Sequence, residues 1–87
     1  MQNDDRTEYP EIGLRLKTLR HAMSDLSQSA WATKHNFGVT QYNNWEQGVR
    51  RVPLEAAERL CERYGLTLDW VYRGRSDGLS DNLRKVL

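Results

Sequence analysis

The chain has 87 residues, which suits one small domain burying roughly 60 to 65% of the surface its unfolded form exposes. With 38% hydrophobic and 29% charged residues, no apolar run of about 18 residues and an acidic, polar start, it is expected to be a soluble protein of the cytoplasm, without membrane span or signal peptide. Its single cysteine, Cys61, excludes an internal disulfide and a cysteine-based zinc site; the net charge of +1 hides a basic middle, six bases against two acids over residues 12–52.

Residues 1–10 lack apolar periodicity and close on Tyr9-Pro10, which predicts a flexible tail ending in an extended step. Ile12, Leu16, Leu19 and Met23 then recur at spacings of four, three and four, one stripe of a helix over 11–23 that leaves Leu14 exposed. Ser24-Asp25 breaks it. Ser27 can cap a short second helix over about 28–35, with Trp31 and Ala32 inward. Asn36 tolerates the left-handed conformation that a sharp exit needs, Phe37 plugs the core, and Gly38, or alternatively Thr40, opens a third helix over about 39–46 that stops near Gly48.

At about 100° per residue the third helix places Thr40, Asn43, Asn44 and Gln47 on one face, with Tyr42 and Trp45 opposite. Surface helices ordinarily carry Lys and Glu, so an outward row of hydroxyls and carboxamides suggests a surface for reading base edges. The basic excess of residues 12–52 surrounds this unit, the footprint of phosphate contact.

After a loop carrying Arg50 and Arg51, Pro53 is expected in the first turn of a fourth helix whose buried stripe is Leu54, Ala57, Leu60, Cys61 and Tyr64, stopped by Gly65. Thr67 caps a fifth helix over about 68–73, with Leu68 and Val71 packing and Gly74 ending the domain. In the C-terminal extension, 75–87, Leu79, Leu83, Val86 and Leu87 have the spacing of a further short helix. No repeat and no strand signal is present.

In this order, Leu26-Ser27-Gln28, Ala32, Trp45-Glu46-x-Gly48, Pro53 and Leu68-Asp69-Trp70 resemble the XRE or Cro/repressor-like helix-turn-helix family of phage and bacterial regulators, over about Ile12 to Gly74. The resemblance implies an all-α, five-helix lambda repressor-like fold and binding of double-stranded DNA through the major groove. It implies base contacts for Val39, Thr40 and Asn44, base or phosphate contacts for Gln41 and Asn43, and phosphate contacts for Gln47 and Arg51, with Arg50 able to do the same. Gln28 would touch phosphate and brace the recognition helix, and Arg20 with Glu46 would form an ion pair pinning that helix to the scaffold. Asn paired to adenine and Thr against a thymine methyl imply A·T content in the half-site. The chain departs from the family at the turn between the first two helices, one residue longer, and at His35, Asn36 and Gly38.

The bland alternative for the polar row is an ordinary solvated face, and for Arg50 and Arg51 a solubilising loop. His21 and His35 are isolated, and no nucleophile motif or carboxylate cluster is present, so no enzyme activity, metal, cofactor or small-molecule ligand is expected. A homodimeric repressor on a palindromic operator is the leading expectation, and an antitoxin or anti-repressor module docking a protein partner the alternative. The dimer surface is either the fifth helix, with Trp70 and Tyr72, or the stripe at 79–87.

Overall fold

The computed structural model describes residues 8–87, so the first seven residues of the expected tail lie outside the described residues. Among the described residues six helices follow one another: α1 (Pro10–Met23), α2 (Gln28–Lys34), α3 (Val39–Glu46), α4 (Leu54–Tyr64), α5 (Leu68–Arg73) and α6 (Asp81–Val86). There is no strand among the described residues, and no described helix is long and apolar enough to cross a membrane.

The helix ends follow from local chemistry. Ser27, Thr67 and Ser80 each accept a hydrogen bond from a backbone N–H three residues on, closing α2, α5 and α6 at 3.2, 3.0 and 3.3 Å. Gly38 is the cap of α3, Asn36 takes φ 61°, and Gly65 and Gly74 take left-handed conformations where α4 and α5 stop. Pro53 stands one position before α4 and not inside its first turn.

The start of the chain differs from the expected tail. Pro10 is the first residue of α1, where its missing N–H leaves nothing unsatisfied. Tyr9 is half-buried against the core, and its N–H donates to Gly48 O at 2.9 Å, so Tyr9 and Pro10 are tied to the turn after α3 and are not part of a tail.

The core is built from Ile12, Leu16 and Leu19 of α1, Trp31 and Ala32 of α2, Tyr42 and Trp45 of α3, Ala56, Ala57 and Leu60 of α4, and Trp70 and Val71 of α5. Leu54 was expected inside and is 54% exposed: the inward face of α4 is centred on Ala56, Ala57 and Leu60, about 110° around the helix from it. Leu68 likewise stands out at 37% exposure, while Trp70 takes its place in the core. The core also continues past Gly74, since Leu79 is buried and Leu83 and Leu87 pack against it; Val86 faces solvent.

α3 lies against both α1 and α2. It passes close to Gly13, where an added Cβ would overlap the backbone carbonyls of Glu46 and Trp45. Only a residue without a side chain admits α3 this near to α1.

Candidate nucleic-acid interface

The inward face of α3 is anchored by a polar cluster at its last turn. Glu46 is buried, and its carboxylate accepts four hydrogen bonds: from Arg20 Nε (2.8 Å) and Tyr42 Oη (2.6 Å) on Oε2, and from Arg20 Nη2 (3.0 Å) and Gln28 Nε2 (2.8 Å) on Oε1. Arg20 also donates Nη1 to Leu26 O at 2.9 Å, so one guanidinium joins α1, the loop before α2 and α3. Burial alone raises the Glu46 carboxyl, but the bonds from Arg20, Tyr42 and Gln28, with the Arg20 charge, outweigh it and hold the group below its ordinary value. Arg20 is held charged in turn, its pKa raised chiefly by the hydrogen bond to Glu46. Arg20 and Glu46 thus form a buried ion pair, and Gln28 donates to the same carboxylate. A carboxylate so fully partnered presents no free negative charge to an approaching phosphate.

Aromatic rings hold the other turns of the unit. Phe37 stacks on Tyr42 with ring centres 6.1 Å apart and meets Trp45 edge-on at 5.3 Å, while Trp31 stacks on Tyr64 at 5.5 Å. His35, buried between them, approaches Trp31 O with Nδ1 at 2.8 Å and Tyr64 Oη with Nε2 at 2.6 Å. A carbonyl can only accept, so Nδ1 carries the proton, and the Tyr64 hydroxyl donates to Nε2. Burial pushes the imidazole below its usual pKa, opposed by the bond to Trp31 and reinforced by the charges of Lys34 and Arg63. Arg59 closes the end of α2 by donating Nη1 to the carbonyls of His35 (3.1 Å) and Asn36 (3.4 Å), with its guanidinium 5.2 Å from the Phe37 ring centre.

The opposite side of α3 faces outward. Val39, Thr40, Gln41 and Gln47 are exposed, and Asn43 and Asn44 are half-buried. Among the described residues the side-chain hydrogen bonds of α3 belong to Tyr42 and Glu46, on the anchored side. The chain after α3 turns back on it, with the N–H groups of Val49 and Arg50 both donating to Asn44 O at 3.0 and 3.3 Å. Arg50 and Arg51 are thereby carried, exposed, to the flank of α3, where they line a cleft of about 510 Å³ with Gln41, Asn44 and Arg59. Gln28 stands half-buried at the start of α2, one of its amide hydrogens already used on Glu46.

The structure thus gathers Val39, Thr40, Gln41, Asn43, Asn44, Gln47, Arg50 and Arg51 on α3 and its flank. Gln28 lies across the Glu46 cluster from them. Two contributors escape a reading of spacing alone. Arg59 reads from sequence as a charge balancing the α4 dipole, and Gly13 as an unremarked helical residue. The shortage of caps for the carbonyls at the end of α2 is the one signal that points to Arg59.

Comparison with known proteins agrees with this geometry. Residues 11–71 match a helix-turn-helix domain family. Control protein C.MunI from Mycoplasma sp is 35% identical over 61 residues, covering 70% of this chain and 82% of that protein. No solved structure matches. With a matched domain that spans α1 to α5 and a third helix anchored on one face and open on the other, the chain belongs to the XRE or Cro/repressor-like helix-turn-helix family, a family of DNA-binding transcription regulators.

Proposed function

We propose that this chain is a sequence-specific, homodimeric regulator of repressor type that places α3 of each copy in successive major grooves of a palindromic operator, with half-sites about 10 bp apart. The observation that carries the reading is the division of α3: Tyr42, Trp45 and Glu46 are consumed by the core and the Arg20 cluster, and Thr40, Asn43, Asn44 and Gln47 are left for a partner. Thr40 and Asn44, with the methyls of Val39, select bases; Gln41 and Asn43 meet bases or phosphate. Gln28, Gln47, Arg50 and Arg51 hold the phosphates and set the register. The name control protein, carried by the Mycoplasma relative, supports a regulatory role.

For self-association, burial of Trp70 and the packing of Leu79, Leu83 and Leu87 on their own core withdraw most of the apolar surface from both expected dimer faces. Leu68 beside Tyr72 remains on the first face, and Val86 on the second, at 37% and 52% exposure for the two aliphatic residues. Sedimentation of Leu68→Glu and Val86→Glu decides between the faces, because only the substitution inside the dimer surface yields a monomer.

Selection from random duplex DNA tests the function itself. The expected result is an enriched two-fold sequence whose specificity is relaxed by Asn44→Ala, at a cost of about 1–3 kcal/mol against the preferred base. No enrichment, or affinities that ignore Asn44→Ala, would remove the base-reading role.

A further inference from the structure

The loop between α3 and α4 is fixed at both ends. Its start is held by the two backbone bonds to Asn44 O, and its end by burial of Val52, whose carbonyl accepts a 2.7 Å hydrogen bond from Tyr72 Oη of α5. Arg51 lies between these points, exposed, with its guanidinium 4.8 Å from the centre of the Tyr72 ring. We propose that Tyr72 is a positioning residue, which holds Arg51 stacked on its ring so that the guanidinium edge is already presented to a DNA phosphate.

The inference rests on the phosphate-binding reading of Arg51 given above. Its physical basis is that a ring attracts a guanidinium through the flat face, whereas a phosphate is bound through the N–H groups of the edge, so one arginine can satisfy both at once. Without the ring, a long exposed side chain must give up its rotamer freedom when DNA arrives; with it, part of that loss is already incurred in the free protein. Arg59 is committed differently, since its ring contact with Phe37 accompanies bonds to the turn carbonyls. The Tyr72 hydroxyl bonds the Val52 carbonyl, which links α5 to the end of the loop that carries Arg51.

Affinity for the selected operator, measured for single and combined substitutions, tests this. Arg51→Ala is expected to weaken binding and lower the salt dependence by about one phosphate contact. Tyr72→Leu is expected to weaken binding about 3-fold, and Tyr72→Phe, which keeps the ring, to stay within about 2-fold of the parent. In an Arg51→Ala background Tyr72→Leu should cause no further loss. Pentafluorophenylalanine at position 72 keeps the shape of Phe and reverses the electrostatics of the ring face, so it should bind DNA as weakly as Tyr72→Leu at a thermal midpoint near that of Tyr72→Phe. That comparison stands even where Tyr72→Leu fails to fold. Equal losses in both Arg51 backgrounds, or a fluorinated ring that binds like Phe, overturn the positioning role and leave the phosphate contact intact. An Arg51→Ala chain with unchanged affinity and salt dependence overturns both.

Discussion

At the scale of single residues, Glu46 concentrates the interactions that orient α3. Removing it by Glu46→Ala strands the buried Arg20 charge and should cost about 3–5 kcal/mol of stability in urea unfolding, more than removing either neutral partner through Gln28→Ala or Tyr42→Phe. Acidification exposes two titrating groups in turn. The folded His35 binds its proton less readily than the unfolded chain does, so its contribution is complete above the unfolded value of about 6.5 and declines as pH falls below it. Glu46 also titrates lower when folded, so its share persists above about pH 4.3 and is lost as pH drops through the folded value. Stability followed by urea titration between about pH 7 and pH 5 should therefore fall in the parent and be flatter in His35→Gln. Much of the cluster was legible beforehand: the Arg20 and Glu46 pair and the bracing role of Gln28 followed from the family resemblance. Tyr42 was legible only as inward-facing, because periodicity reports the side on which a residue lies and not the atom that its hydroxyl meets.

At the scale of elements, the order and type of the described helices could be read from apolar spacing and caps, and two of the misplaced side chains stand where a helix begins. Leu54 and Leu68 are first residues of α4 and α5, and each lies off the face that the later residues present to the core. A first turn contributes one apolar residue with no partner at the preceding turn, so spacing alone leaves its direction open. The crossing of α1 and α3 was equally hidden, since a glycine inside a helix carries no hydropathy signal. Gly13→Ala tests that crossing. Intrinsic propensity favours alanine by up to about 1 kcal/mol, yet the carbonyls of Trp45 and Glu46 must move to admit its methyl, and a net destabilisation of about 1–3 kcal/mol is expected in thermal or urea unfolding.

At the scale of the whole molecule, the boundary drawn at Gly74 separated Leu79 from the core that it completes. The polar link between them offers no periodic pattern, and a long-range contact made by one leucine is invisible in local spacing. Leu79→Ala should lower stability by about 2–5 kcal/mol while leaving operator preference unchanged, which separates a scaffold role from a reading role when unfolding and binding are measured together. Truncation after Gly74 would remove the same contact together with Leu83 and Leu87, so loss of self-association in such a chain would report unfolding as readily as a missing interface. The Gly13 crossing has a different reach. Because α3 meets α1 through backbone at that point and through the Arg20 cluster beside it, none of the side-chain hydrogen bonds that attach it comes from Thr40, Gln41, Asn44 or Gln47. Those four positions form a rewritable surface on a fixed mount, and a combinatorial library across them should return folded chains with altered operator preferences far more often than one across Gly13, Tyr42, Trp45 and Glu46.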